Sequence, residues 1–115
     1  MIIRKLDDVP VTGVDLDGVS GITKQLVIGS DDGTPNFSFR VFTVEPGGHS
    51  PHHNHDVEHL NYIISGQGAL MDGDGRPHPL GQGDFAMVAP NDIHQFRNTG
   101  DTPFVFICAV PKAYE

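Results

Sequence analysis

The chain lacks the cysteine pairs that stabilise many small proteins and the long apolar segments that anchor others in a membrane. Its single cysteine, Cys108, excludes an internal disulfide and favours a reducing compartment. No run approaches the roughly 18 apolar residues of a membrane-spanning helix. The N-terminal sequence MIIRKLDD also lacks the apolar segment of a secretory signal. We therefore expect a cytoplasmic protein with no membrane partner.

Basic residues are also scarce. The chain has 7 Lys and Arg against 15 Asp and Glu, which gives a formal net charge of −8. The basic residues are scattered, whereas a nucleic-acid-binding protein clusters them on one face or along one helix. The composition therefore argues against a nucleic-acid partner.

Turn residues are abundant, with 14 Gly and 9 Pro among 115 residues. No segment of ten or more residues keeps a helical period, and β-rich runs alternate with Gly, Asp, Asn and Pro clusters such as 46–48 and 72–75. The predicted strands are Ile2–Leu6, Ile22–Ile28, Phe37–Val44, Leu60–Ile64, Gly68–Met71, Phe85–Val88, His94–Arg97 and Phe104–Val110. This pattern predicts one all-β domain over residues 1–115, built as a sandwich or barrel.

Four histidines stand at intervals that suit a metal ion. His53 and His55 are two residues apart, so on a strand both side chains leave the same face. His59 follows four residues later, and His94 begins another strand-like run beside a Pro-Asn turn. Imidazole is the commonest protein ligand for first-row transition metals. We predict that these four residues bind a metal, and that the other three histidines do not: His49, His52 and His78.

Strand alternation extends this prediction into the interior. If His59 points into a barrel, Asn61 and Ile63 point inward as well. An unpaired buried amide costs about 1–3 kcal/mol, so an inward Asn61 would need a bound water or a ligand near the metal. The alternative is that Asn61 faces solvent on a twisted strand. The aromatic residues expected on the inner face are Phe39, Phe85, Phe104 and Phe106.

The first histidine cluster lies within a recognisable motif. Gly47, His53–His55, His59 and Gly66 keep the intervals of the first cupin motif, G(X)5HXH(X)3–4E(X)6G. Histidine stands where that motif has glutamate, and Glu58 is one residue out of register. The chain therefore resembles the cupin superfamily, and within it the small members with an all-histidine metal site.

The second cupin motif, G(X)5PXG(X)2H(X)3N, resembles the segment from Gly83 to Asn98. Gly83, His94 and Asn98 fit it, while Ala89 replaces the proline and Asn91 replaces the glycine. Asparagine is the usual substitute for glycine in left-handed turns, so we expect the turn to be kept.

The resemblance implies a double-stranded β-helix (jelly-roll) barrel with a divalent metal near its wide mouth. It points to manganese, with zinc, iron, copper and nickel as alternatives. It also implies a homodimer in which N-terminal strands cross between subunits, and Met1–Ile3 is the candidate segment. The C-terminal strand would line the interior, so Phe106 and Cys108 would shape a small-molecule cavity.

Four neutral imidazoles leave the charge of a divalent ion uncompensated and favour anionic, chelating oxygen ligands. A six-coordinate ion would keep two positions for a substrate, or for dioxygen and substrate together. We therefore predict oxygenase-type chemistry on a small organic substrate, with Asn61, Phe106 and Cys108 around the metal. The alternatives are a binding or sensing module without turnover, a cyclase, isomerase or lyase, and a closed tetrahedral zinc site.

Overall fold

All of the strands belong to one antiparallel sheet. The computed structural model describes all 115 residues. Its strands are β1 (Thr12–Gly13), β2 (Ser20–Ile28), β3 (Phe37–His49), β4 (His59–Ser65), β5 (Gln67–Met71), β6 (Pro77–Gly81), β7 (Phe85–Val88), β8 (Gln95–Asn98) and β9 (Phe104–Pro111). Three short 3₁₀ helices lie at Leu6–Asp8, Ser30–Asp32 and Lys112–Tyr114. None of these helices is long or apolar enough to cross a lipid bilayer.

The sheet curls because its longest strand has partners on both edges. β3 pairs along one edge with β9 and then with β8, and along the other edge with β2. The main order is β6-β5-β8-β3-β9-β4-β7, so strands distant in sequence lie side by side. The result is the curled sheet of a jelly roll, and the all-β prediction is confirmed.

The apolar core fills one end of the inner face. Val44, Ile63 and Phe104 are fully buried there, and Val44 lies opposite Phe104 across β3 and β9. Along β9 the side chains alternate between buried and half-buried, so only one face of this strand is fully covered. That regular alternation determines which residues of the neighbouring strands point inward.

β4 alternates in the same way. His59, Asn61 and Ile63 are 6%, 4% and 0% exposed, whereas Leu60 between them is 46% exposed. The structure therefore places Asn61 on the inner face, and the solvent-facing alternative is wrong.

Two of the four aromatic residues expected inside are outside. Phe39 is 47% exposed and Phe85 is 79% exposed, whereas Phe104 and Phe106 are buried. Phe39 has the wrong parity, because its neighbours Ser38 and Arg40 occupy the inner face of β3. Hydrophobicity alone identifies strand residues but does not say which face they occupy.

The predicted strand Ile2–Leu6 does not form. Residues 1–5 have no β-sheet partner, and a 3₁₀ turn follows at Leu6–Asp8. The Gln25 side-chain amide donates to the backbone oxygens of Leu6 and Val9, which holds this segment against β2. Within one chain these contacts replace strand pairing.

Two further differences involve proline. Pro77–Gly81 forms a strand that the sequence did not predict, at the end of the strand order, where an edge position tolerates a residue without an N–H. Pro46–Gly48, expected as a turn, lies inside β3 at a shift in the pairing register with β2. Both segments belong to strands that pair with a neighbouring strand, and local turn preferences do not predict such pairing.

The expectation for Asn91 is confirmed. It is the only residue other than glycine with a positive φ, at 70°. Gly47 and Gly66, the glycines of the first motif, also have positive φ values, of 79° and 81°. The turns that the two motifs need are therefore present, with asparagine serving in place of glycine in the second.

Candidate metal centre

Three histidines meet at the mouth of the barrel. Possible ligand atoms of His53, His55 and His94 all lie within 4.8 Å of one another. The backbones of His53 and His94 exchange two hydrogen bonds, His53 N–H to His94 O at 3.0 Å and His94 N–H to His53 O at 2.8 Å. Because this bridge joins the loop before β4 to the residue before β8, residues far apart in sequence present their rings to one point.

His55 is positioned by the turn that contains Asn91. The Asn91 N–H donates to the His55 carbonyl oxygen at 2.6 Å. The left-handed backbone at Asn91 turns the chain just before His94, so the same turn positions both histidines. Asn91 therefore has a role in the geometry of the cluster.

His59 lies next to the cluster but slightly apart from it. Its ring stacks on that of His55, with centroids 4.6 Å apart and planes 11° apart, and lies 6.0 Å from His94. It is not among the three residues whose ligand atoms share the 4.8 Å limit. The structure thus brings three of the four predicted ligands together and stacks the fourth against one of them.

The histidines predicted not to bind metal are engaged elsewhere. The His78 Nε2 lies 2.9 Å from the Asp72 carboxylate, and His52 Nε2 lies 3.3 Å from the Asp72 backbone oxygen. His49 Nδ1 lies 3.1 Å from the backbone oxygen of Ser50. None of the three belongs to the cluster.

The cluster is held in the uncharged form that binds metals. Burial lowers the pKa of His53 to about 4 and that of His59 to about 3, and charge repulsion from neighbouring rings adds to the effect. Burial is also the main cause that lowers the pKa values of His55 and His94. At neutral pH all four rings therefore keep a free lone pair.

The available lone pairs fit a metal ion. The His94 Nδ1 lies 2.9 Å from the Asp92 carbonyl oxygen, which places the proton on Nδ1. The lone pair of Nε2 is then free to bind a metal. The Nε2 of His59 is buried and has no hydrogen-bond partner. An unsatisfied buried polar atom costs about 1–3 kcal/mol, and a bond to a divalent ion would satisfy this one. The residues present therefore fit a metal bound by neutral nitrogens.

A cavity of about 310 Å³ opens beside the cluster, a size suited to a small molecule. Half of its lining residues are hydrophobic, and Phe106 and Cys108 are among the residues that line it. Asn61 does not line it, but it lies opposite Cys108 across β4 and β9. Both polar atoms of its side-chain amide are buried without a partner.

Arg40 is a residue of this cavity that the sequence did not predict. Arg40 is 8% exposed and lines the cavity from β3. Its Nη2 donates to Cys108 Sγ at 3.0 Å, and that sulfur lies 3.6 Å from His59 Nδ1. The signal was available, because Arg40 shares its strand parity with Val44, a core residue.

Tyr114 is a second missed residue. It lines the cavity from the 3₁₀ helix at Lys112–Tyr114, and its ring centroid lies 6.3 Å from that of His55. Its hydroxyl donates to the Asp56 carboxylate, which raises the pKa of Tyr114. This contact ties the last helix to the loop that carries the first two histidines.

Solved structures resemble this chain along almost its whole length. The polyketide cyclase RemF from Streptomyces resistomycificus is 28% identical to it, with a TM-score of 0.91 over 96% of this chain and 79% of that one. No curated protein matches the sequence.

Two more distant structures share the fold. A predicted oxalate decarboxylase from Thermotoga maritima is 20% identical, with a TM-score of 0.85 over 96% of this chain and 99% of that one. A sugar phosphate isomerase of the cupin superfamily from Silicibacter pomeroyi is 23% identical, with a TM-score of 0.80 over 96% and 75%. The family model of the cupin domain matches residues 40–110, more than half of the sequence. On this match, together with the jelly-roll sheet and the histidine cluster at its mouth, the chain belongs to the cupin family.

Proposed function

We propose that this cupin is a metalloenzyme that oxidises a small organic substrate, and that the substrate chelates the metal through its oxygen atoms. Its ligands are His53, His55, His59 and His94, and manganese is the leading metal, ahead of zinc, iron, copper and nickel. The observation that carries the proposal is the buried Nε2 of His59, which lacks a partner beside three clustered imidazoles. When bound, a divalent ion supplies Lewis acidity, and a redox-active one also supplies a site for dioxygen.

The protein side of this chemistry is binding and exclusion of water. The histidines are uncharged and would leave the charge of a bound divalent ion uncompensated, so the cavity would favour anionic oxygen ligands. Phe96 stacks on Phe106 with ring centroids 4.5 Å apart, and both rings line the cavity, as does Ile22. These walls suit an apolar or aromatic body attached to the chelating group.

A second candidate function is cyclisation. The likeness to RemF, a polyketide cyclase, favours this alternative, since it extends over 96% of this chain. The histidine cluster contains no carboxylate, so a base for carbon–carbon bond formation would have to come from another group of the cavity. A binding or sensing module without turnover is the third alternative.

Oxygen consumption separates these functions. Metal-loaded protein should take up oxygen with at least one compound from a panel of diketones, catechols and alkenes, and the His53→Ala variant should not. Conversion of a diketone to a ring without oxygen uptake would favour the cyclase. If compounds bind but none is converted, the binding module is the better description.

Replacement of His59 by alanine should lower metal affinity by tenfold or more, since even the outer partners of metal ligands are worth about 10–100-fold. Glu58→Ala is the matched control and should leave affinity unchanged, because Glu58 is one residue out of register with the ligand. Metal content after dialysis, measured by elemental analysis, decides between them. The opposite ranking would show that Glu58 is the ligand.

The metal-free protein should lose stability as the pH falls from about 6.5 to about 4. Unfolded histidines bind protons below about 6.5, whereas the pKa of His53 is about 4 and that of His59 about 3 in the folded protein. The unfolded state therefore binds more protons across this window, which lowers the free energy of unfolding. The thermal midpoint against pH tests this, and a constant midpoint from pH 7 to pH 4 would contradict it.

The same shifts change where metal is lost. Reference imidazoles would release it as the pH falls through about 6.5, but the buried rings, whose pKa values are lowered, should hold it to a lower pH. Metal content after dialysis at a series of pH values measures this, and loss at about 6.5 would contradict it.

We propose that the protein forms a homodimer. Ile3 is 87% exposed and belongs to no strand. Phe85 and Met87 share one face of β7 and are 79% and 66% exposed. Exposed apolar patches of this kind typically mark an interface. Light scattering at micromolar concentration should give twice the mass of a 12.4 kDa chain, and Met87→Lys should shift the mass toward the monomer. A monomer with the wild-type sequence would remove the proposal.

A further inference from the structure

Three inward residues form a polar row across three neighbouring strands. Arg40 of β3 lies opposite Cys108 of β9, and Cys108 lies opposite Asn61 of β4. All three are less than a tenth exposed. The buried side-chain atoms of the chain that lack a hydrogen-bond partner belong to this row and to His59 next to it: Arg40 Nε, His59 Nε2, Asn61 Nδ2 and Asn61 Oδ1. Unsatisfied polar capacity is therefore concentrated at one place, beside the metal centre.

Arg40 is the charged member of the row, and its charge has no ion-pair partner. Its Nη1 donates to the backbone oxygen of Tyr114 at 3.3 Å and its Nη2 to Cys108 Sγ at 3.0 Å. The guanidinium also lies over the ring of Phe42, 4.9 Å from the centroid. No carboxylate oxygen lies within 4.0 Å of it, and the salt bridges of the chain involve other residues.

The other charged residues that line the cavity are already engaged with each other or with the backbone. Lys24 Nζ donates to the backbone oxygen of Glu115 at 3.1 Å. The Glu115 carboxylate accepts from the Ser30 N–H at 3.0 and 3.1 Å, and from the Ser38 hydroxyl. Neither residue forms an ion pair with Arg40.

A buried charge without a counter-charge costs several kcal/mol. A guanidinium has five N–H donors in a planar fork that matches the two oxygens of a carboxylate. Only two of its nitrogens have a hydrogen-bond partner in the protein. An anion that enters the cavity would therefore find both charge and donors in place.

We propose that Arg40 is a specificity-determining residue that binds an anionic oxygen of the ligand, while another oxygen of the same molecule reaches the metal. The inference rests on the proposed metal site and narrows its ligand to organic anions with a carboxylate or enolate group next to a chelating oxygen. The apolar walls described above would contact the rest of the molecule.

Malonate and imidazole are suitable probes, because both bind a metal but only malonate carries an oxyanion. The experiment uses zinc-loaded protein of measured metal content and follows binding by calorimetry. In Arg40→Met, malonate should bind about tenfold more weakly or worse, as expected for a lost charge-assisted hydrogen bond. Imidazole should bind as in the wild type, within about twofold.

Lys24→Met is the matched control, since it removes the other cation of the cavity, which already has a partner. Malonate affinity should change by less than about threefold in this variant. Equal losses in Arg40→Met and Lys24→Met would show a general effect of charge and overturn the contact. An unchanged malonate affinity in Arg40→Met would also overturn it.

If Arg40→Met does not fold, Arg40→Lys keeps the charge but not the fork, and it should weaken malonate binding while imidazole binding stays the same. A crystal structure of the zinc-loaded wild type with malonate gives an answer independent of any variant. A malonate oxygen within hydrogen-bond distance of Arg40 supports the proposal, and malonate on zinc without that contact overturns it. If the protein takes up no zinc, the proposed function fails instead, and malonate binding to metal-free wild type and variant then decides the role of Arg40 alone.

Discussion

The candidate site depends on two backbone hydrogen bonds between His53 and His94. These bonds join the loop before β4 to the residue before β8, and without them two of the three clustered imidazoles would not share a point in space. Asn91 extends the same arrangement, since its N–H fixes His55 and its left-handed backbone leads the chain to His94. The clustered histidines are thus positioned by backbone groups, and the Nε2 atoms of His59 and His94 have no hydrogen-bond partner in the protein.

The inner face of the barrel has an apolar part that contributes stability and a polar part that lies beside the candidate site. Val44, Ile63 and Phe104 fill one end and are fully buried. The other end holds His59, Asn61 and Arg40, whose unsatisfied atoms cost free energy in the absence of a ligand. Burial at this end lowers the pKa values of His53 and His59 and so keeps both rings uncharged at neutral pH. A metal and an anion would together satisfy much of this polar end.

The sequence predicted the features that depend on the spacing of residues along one segment. It misplaced side chains such as Phe39, whose position depends on which face of the sheet they occupy. Motif intervals gave the histidines and the turn at Asn91, because such intervals reflect fixed geometry along one strand or loop. The inner or outer position of Phe39 depends on the register between β3 and its neighbours, which no single segment encodes. The parity that Arg40 shares with Val44 places it on the inner face, but its importance comes from its place opposite Cys108 on another strand. The N-terminal segment differed because Gln25, distant in sequence, holds it.

X-ray absorption spectroscopy of the metal-loaded protein is the decisive measurement for the all-histidine site, because it gives the ligand distances and recognises imidazole rings by their outer-shell scattering. We expect four imidazole nitrogens at roughly 2.0–2.2 Å, with the remaining positions held by water that malonate replaces. The His59→Ala variant should show three imidazoles by the same measurement. A wild-type spectrum with three imidazoles and a carboxylate oxygen, unchanged when His59 is replaced, would contradict the all-histidine site.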